Sequence, residues 1–158
     1  DRWPAKPPHD ASPVLWRPDM FAKILVPVDV AIAAETEKLL TKAKALAAQW
    51  GSEVHVVCVI PNVGMPIVGS YMDEGFEATA KSETEAELTR QIEATGITAT
   101  AHVLTGTVYD KVIALAAALD TDLILIAAHQ PDLKDYLLGS NAARVVRHSH
   151  KSVLVLRD

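Results

Sequence analysis

The sequence predicts an α/β fold: a single doubly wound parallel sheet of five strands, in the order 3-2-1-4-5, with helices on both faces. Short apolar runs alternate along the chain with segments of helical character. Such runs indicate strands that are buried on both faces, and their alternation with helices is typical of parallel sheets. Right-handed crossovers leave few topologies, and the doubly wound order places strands one and four side by side.

Five runs are predicted as strands because each is short, nearly uninterrupted and apolar. In chain order they are residues 23–29 (KILVPVD), 53–60 (EVHVVCVI), 97–104 (ITATAHVL), 122–128 (DLILIAA) and 151–157 (KSVLVLR). The proline- and glycine-containing stretch at 61–72 predicts a long loop after the second strand.

Four segments are predicted as helices, and they span residues 33–51, 73–95, 107–120 and 140–150. The first segment has one apolar face, formed by Leu39, Leu40, Ala43, Leu46 and Ala47. Gly51 is its predicted stop. Thr107 and Ser140 are predicted N-caps of the last two helices, and Asp110 forms a capping-box-like pair with Thr107.

Composition narrows the class of protein. A chain of 158 residues with 49% apolar and 22% charged residues suits one soluble globular domain. Its single cysteine, Cys58, excludes an internal disulfide and a cysteine-based metal cage, and a reducing cytoplasm is the expected compartment. A formal net charge of −5 argues against nucleic acid as the main partner. No apolar run is long enough for membrane insertion.

Residues 1–19 differ from the rest of the chain, because they are rich in proline and have no apolar period. We interpret them as a leader or an added extension in an extended conformation. Met20 resembles a natural start, so the folded domain is predicted to span residues 20–158.

The ends of strands one and four are the expected ligand site, because open parallel sheets bind ligands where the strand order reverses. Those ends are Pro27-Val28-Asp29 and Ile126-Ala127-Ala128. Gly139-Ser140 opens the following helix, whose free N–H groups and partial positive charge favour phosphate. The alternative is that this pair only caps the helix, and the residues alone leave both interpretations open.

Two further positions also have alternative interpretations. Asp29 can accept hydrogen bonds from an adenine amino group or a ribose hydroxyl, or it can cap the next helix. Thr105-Gly106-Thr107 allows close approach of a ligand, or it forms only a turn and an N-cap.

Other reactive side chains give weaker signals. His129, His148 and His150 have no second ligand cluster at metal spacing, so a metal site is not expected. Cys58 falls in a buried run and is interpreted as an inert core residue. The sequence contains neither a G-x-S-x-G elbow nor a G-x-x-x-x-G-K-[ST] loop, and no nucleophile is paired with a base.

Several of these segments together resemble the universal stress protein family over about residues 21–157. They are KILVPVD, HVVCVIP, the Thr-Gly-Thr before the third helix, DLILIAAH and LLGSNAARVVRHSHKSVLVLR. In the nucleotide-binding branch of that family, G-x-x-G is followed by nine residues and then by G-[ST]. Here Ala127 and Gln130 replace the two leading glycines, and eight residues separate Gln130 from Gly139. The pattern H-x-P-D…YLLGSNA, which begins at His129, resembles a subgroup of small family members that keep the nucleotide site with a shortened loop.

The resemblance implies a stress-response regulator that binds ATP or AMP, optionally with Mg²⁺, and has at most weak ATP hydrolysis. The nucleotide-binding residues carried over are Pro27, Val28, Asp29, Val59, Gly106, Ile126, Ala127, His129, Gln130, Gly139, Ser140 and Asn141. Asp29 would bond adenine, with Val28 and Val59 beside the base and Ile126 and Ala127 lining the site. Gly106 would lie near the ribose or phosphates. His129 and Gln130 would flank the phosphates, and Gly139, Ser140 and Asn141 would hold them by main-chain N–H groups and a hydroxyl.

The resemblance also implies a homodimer formed through the last strand, Val153 to Arg157, with a tetramer as a further possibility and an unknown protein as the partner. An apolar edge strand at a chain end favours the same conclusion, because pairing with its copy would cover the exposed edge. The alternative function is a dimeric interaction module that binds no nucleotide, which the missing glycine pair favours.

Overall fold

The computed structural model describes residues 21–62, 74–128 and 138–157. In these ranges the strands are β1 (Lys23–Pro27), β2 (Glu53–Pro61), β3 (Thr100–Gly106), β4 (Leu123–Ala127) and β5 (Ser152–Leu156). The helices are α1 (Ala33–Trp50), α2 (Glu74–Thr95), α3 (Val108–Ala118) and α4 (Ser140–His148). The predicted leader at 1–19, most of the predicted loop at 61–72, and His129 and Gln130 lie outside the described residues.

The strands form one parallel sheet in the order β3-β2-β1-β4-β5, which confirms the predicted fold class and strand order. β1 lies in the centre, paired with β2 on one side and with β4 on the other. The carboxyl ends of β1 and β4 therefore lie next to each other at one edge of the sheet.

The core has two halves, one on each face of the sheet. Ile24 and Val26 of β1 pack toward α1 and α2, whereas Leu25 packs toward α3 and α4. Both halves need apolar side chains because side chains alternate between the faces of a strand. This requirement explains why the strand sequences are continuous apolar runs rather than alternating ones.

The ends of two helices differ from the sequence-based expectation. The N-cap of α4 is Gly139, whose carbonyl accepts the Ala143 N–H at 2.9 Å, and Ser140 is the first helical residue. Thr107 is the N-cap of α3, but its side chain makes no capping hydrogen bond, so the expected capping box does not form. Gly51 ends α1 with a φ of 67°, as expected for a glycine stop.

β3 starts later and ends later than the apolar pattern indicates. Its pairing with β2 runs from His55 opposite Thr100 to Pro61 opposite Gly106. Gly96, with a φ of 68°, turns the chain after α2, and the buried Ile97 precedes the first paired residue. The length of β2 therefore sets the extent of β3.

Within the described ranges, no helix combines the length and the apolar character needed to cross a membrane.

A row of polar side chains lies on the otherwise apolar pair β2 and β3. His55 is 6% exposed and uses both ring nitrogens: Nε2 lies 2.6 Å from Glu53 Oε1, and Nδ1 lies 2.8 Å from His102 Nε2. Partial burial, and then the neighbouring His55, lower the pKa of His102 from its ordinary value of 6.5. The folded protein therefore disfavours protonation of His102.

This row makes stability depend on pH. The pKa of His102 is lower in the folded chain than in the unfolded chain. His102 therefore does not destabilise the fold above pH 6.5, and the stability lost to its protonation grows as the pH falls through the folded pKa. We expect the free energy of unfolding, measured in urea, to fall between about pH 7.5 and about pH 5.5. His102→Gln should show a shallower decline, and an identical decline in both proteins would contradict this assignment.

Candidate functional site

A cavity of about 330 Å³ opens where the carboxyl ends of β1 and β4 meet. Its floor comes from the ends of β1, β2 and β4, and its walls come from α1, α3 and α4. The sheet order creates this space: the chain leaves β1 toward one face, where α1 packs, while α4 packs on the opposite face. The switch point predicted from the sequence is therefore an open crevice.

The cavity brings together most of the residues that the sequence singled out. Those that line it are Pro27, Val28, Asp29, Val59, Ile126, Ala127, Gly139 and Asn141. Ser140 and Gly106 are not among the lining residues. His129 and Gln130 fall outside the described part of the chain.

Asp29 is held by a tight turn between β1 and α1. Its Oδ1 accepts the Ala31 N–H at 2.9 Å, and its main-chain oxygen accepts the Ile32 N–H at 3.0 Å. The buried Thr36 hydroxyl donates to the same main-chain oxygen at 2.8 Å. The N-cap of α1 is Ile32, so Asp29 does not cap that helix, which was one of the two interpretations of this residue. The turn instead presents Asp29 to the cavity.

The start of α4 forms part of the opposite wall. Gly139 is buried, Asn141 is half-buried, and both line the cavity. The first N–H groups of a helix have no acceptor within it, and they carry the positive end of the helix dipole. This wall can therefore accept an anionic group.

Charge is distributed unevenly around the cavity. Among the described lining residues, Asp29 and Glu35 are the ionisable ones, and both are acidic. The basic residues Arg144, Arg147 and His148 of α4 are exposed and lie outside the lining, and the Arg144 guanidinium sits 5.1 Å from the centre of the Tyr109 ring. The described lining contains no lysine or arginine. Within this part of the chain, a bound anion would therefore contact main-chain N–H groups.

The remaining lining is apolar and suits a flat, uncharged group. Val28, Val59, Ile126 and Val108 contribute side chains from the turn after β1, from β2 and β4, and from α3. The cavity thus combines an apolar floor, a carboxylate hydrogen-bond acceptor and a helix start. A small ligand with a planar polar ring and an anionic tail matches these features.

One family model matches most of the chain. The model described as the universal stress protein family matches residues 20–157. The chain belongs to the universal stress protein family.

Relatives and solved structures agree with this membership. Universal stress protein G of Salmonella typhimurium strain LT2 is 32% identical over 143 residues, covering 87% of this chain and all of the relative. The structure of hypothetical protein MJ0577 is 25% identical, with a TM-score of 0.69 over 88% of this chain and 97% of that one.

Two further structures with the same fold contain nucleotides. A universal stress protein from Archaeoglobus fulgidus in complex with dAMP is 23% identical, with a TM-score of 0.61 over 86% of this chain and 98% of that one. A universal stress protein in complex with cAMP is 19% identical, with the same TM-score over 87% of this chain and 98% of that one. At these identities, the likeness establishes a shared fold.

Sequence reasoning missed several lining residues of this universal stress protein. They lie in helices and at neighbouring strand positions: Ile32, Glu35, Thr36, Leu39, Val57, Pro61, Val108, Val112, Ala142 and Val145. One signal was available, because helices that follow parallel strands must start at the edge where those strands end. Which turn of each helix faces the cavity depends on helix packing, and local periodicity does not specify it.

Gly106 has a structural role that the resemblance did not indicate. It is buried at the end of β3 with a φ of 144°, and a Cβ at this position would lie 2.6 Å from Lys111 Cε. Its carbonyl accepts the Asn62 N–H at 3.4 Å. Backbone conformation therefore requires glycine here, whatever a ligand contributes.

We expect Gly106→Ala to destabilise the ligand-free protein by about 1–3 kcal/mol, because alanine is strained at this φ. The free energy of unfolding in urea measures this effect. Gly75→Ala is the matched control, since Gly75 is an exposed residue in the first turn of α2 without a positive φ, and alanine there should be neutral or stabilising. Equal effects of the two substitutions would contradict the backbone explanation.

Proposed function

We propose that this universal stress protein binds an adenine nucleotide, ATP or AMP, in the cavity between β1 and β4, and that it acts as a stress-response regulator. The observation that carries the proposal is that Asp29 and the start of α4 line one cavity. Asp29 would accept a hydrogen bond from the adenine amino group, and Val28 and Val59 would pack against the ring. Gly139 and Asn141 would place main-chain N–H groups near the phosphates.

The dAMP and cAMP complexes of proteins with the same fold support this choice of ligand class. The hydrogen-bonding groups also support it, because a carboxylate accepts from the amino group of a base and the N–H groups at a helix start donate to phosphate. Mg²⁺ would accompany a triphosphate, since the described lining provides no lysine or arginine to neutralise its charge. His129 and Gln130 stay candidates for phosphate contacts.

The proposed role is binding rather than catalysis. The two ionisable side chains in the described lining, Asp29 and Glu35, both come from the β1–α1 side, whereas α4 forms the wall proposed for the phosphates. Asp29 Oδ1 is already engaged by the Ala31 N–H. A general base would have to reach a water molecule beside the terminal phosphate, and we expect ATP turnover to be slow or absent.

Calorimetric titration with AMP and ATP tests the proposed site. We expect Gly139→Asp to abolish binding, because it adds a negative charge and a Cβ at the buried N-cap of α4. The matched control is Arg147→Asp, which introduces the same residue in the exposed last turn of the same helix and should leave the affinity within about twofold.

Two outcomes of this titration would contradict the proposal. One is failure of the wild-type protein to bind nucleotide even at millimolar concentration, which favours the alternative of an interaction module without nucleotide. The other is full affinity in Gly139→Asp, which places the site elsewhere.

A homodimer formed through β5 is the second part of the proposed function. β5 is the last strand of the sheet order, and its four apolar residues, Val153 to Leu156, are all only half-buried. The Leu156 carbonyl accepts the Ala128 N–H on the β4 side, so the main-chain groups of the neighbouring Val155 point away from β4. In the described part of the chain β4 is the only sheet neighbour of β5, so a second copy of the strand could pair with these groups.

Val155→Pro tests the dimer, because it removes an outward N–H while keeping a side chain of similar size at an edge. In a two-fold symmetric dimer the substitution removes this N–H from both copies. We therefore expect dimerisation to weaken by about tenfold or more. Val155→Ala keeps the N–H and is the matched control. Sedimentation velocity over a concentration series measures both, and a monomeric wild-type protein, or equal dimerisation in Val155→Pro, would refute pairing through β5.

A further inference from the structure

We propose that Gln91 of α2 is a positioning residue for the β1–α1 loop, residues 28–32, and so for the orientation of Asp29 in the cavity. The inference rests on the proposed function in one respect: Asp29 is the residue proposed to bind adenine. Gln91 does not line the cavity, and it lies 61 positions from the residue it holds. Its effect would therefore pass through the loop.

Gln91 holds the loop by one direct hydrogen bond. Its Nε2 donates to the Val30 carbonyl at 2.9 Å, and the side chain is 5% exposed. Val30 directly follows Asp29, so this bond ties α2 to the position beside the proposed adenine contact. The donor is buried and the Val30 acceptor is half-buried, so the bond is partly shielded from water.

Neighbouring charges fix which end of the Gln91 amide faces the loop. The same Nε2 donates to Glu87 Oε1 at 2.6 Å. Arg90 donates from Nε to Glu87 Oε2 at 2.9 Å and from Nη2 to Glu87 Oε1 at 2.5 Å. These bonds, first from Arg90 and then from Gln91, lower the pKa of Glu87 to about 2. Two acceptors, Glu87 Oε1 and the Val30 carbonyl, thus converge on the amide nitrogen, and the amide has one orientation.

The other anchors of the loop come from different elements. The Val28 N–H donates to the Val57 carbonyl of β2 at 2.9 Å, and Thr36 of α1 donates to the Asp29 carbonyl. Cys58 of β2 lies under the loop: burial raises the pKa of its thiol, and a hydrogen bond from the Val30 N–H lowers it by less. Gln91 thus adds an anchor from α2, which packs on the same face of the sheet as α1.

Stability of the fold gives little reason for glutamine at this position. The Gln91 Oε1 atom is buried and has no hydrogen-bond partner among the described residues. An apolar side chain of the same length would remove this unpaired oxygen, whose burial costs stability, but it would leave the Val30 carbonyl without its donor. The two effects oppose each other. Leu88 and Ile92, the adjacent buried residues of α2, already pack in the apolar core with Val28 and Val30.

The predicted signature is therefore a variant that keeps its stability and loses affinity. We expect Gln91→Met to melt within about 3 °C of the wild-type protein, because removal of the unpaired Oε1 offsets the lost bond to Val30. AMP affinity should fall by about three- to tenfold, the equivalent of one lost hydrogen bond. Exchange of the Ala31 and Ile32 amide hydrogens, which bond to Asp29, should become faster by a similar factor in the ligand-free protein.

Three comparisons separate positioning from a general effect on the fold. Ile92→Val removes a buried methylene from the same helix, so it should lower the melting temperature and leave AMP affinity unchanged. Glu87→Gln, a half-buried change that removes the negative charge from one acceptor of the amide, should act in the same direction as Gln91→Met but more weakly. In an Asp29→Ala background, Gln91→Met should no longer change AMP affinity.

The outcomes distinguish this inference from the proposed function. If the wild-type protein does not bind AMP but Gln91→Met still accelerates exchange at Ala31 and Ile32, the loop anchor stands and the nucleotide proposal fails. Unchanged exchange and unchanged affinity in Gln91→Met would overturn the inference. An equal loss of affinity in the Asp29→Ala background would also overturn it, because Gln91 would then act through another part of the site.

Discussion

The burial of β1 on both faces is the constraint on which the rest of the structure depends. Its three central residues are fully buried, with side chains that alternate between the two halves of the core. A strand in this position must be covered by helices on both sides, and the chain must leave β1 and β4 toward opposite faces. The crevice between their carboxyl ends is the geometric result. The apolar core and the cavity therefore have the same origin.

The chemistry of the cavity follows from what lies at that edge. One wall is a strand-to-helix turn that carries a carboxylate, and the other is the start of a helix with unsatisfied N–H groups. Hydrogen bonds join the turn to β2, α1 and α2. Precise placement of a binding group requires such support, since a hydrogen bond to a ligand is sensitive to small displacements. We interpret the polar contacts beneath the loop as part of the site.

Much of the fold could be predicted from the sequence because buried parallel strands leave a strong local signal. The strand runs, the helix stop at Gly51 and the position of Asp29 at a strand end all follow from local patterns. The extent of β3 could not be predicted in the same way, because its pairing partner sets it. The N-cap at Gly139 was assigned one residue too late, since Ser140 has the stronger intrinsic capping preference.

The less predictable features of the site depend on contacts between distant parts of the chain. The bond from Gln91 to Val30 joins residues that no periodicity relates, and the need for glycine at position 106 arises from a φ of 144° beside Lys111.

The most direct test of the nucleotide site is an amide chemical-shift map of the protein titrated with AMP. We predict the largest shifts at Val28, Asp29, Ser140 and Asn141, on both sides of the crevice. Saturable shifts confined to α2 or β5, with none at the ends of β1 and β4, would contradict it.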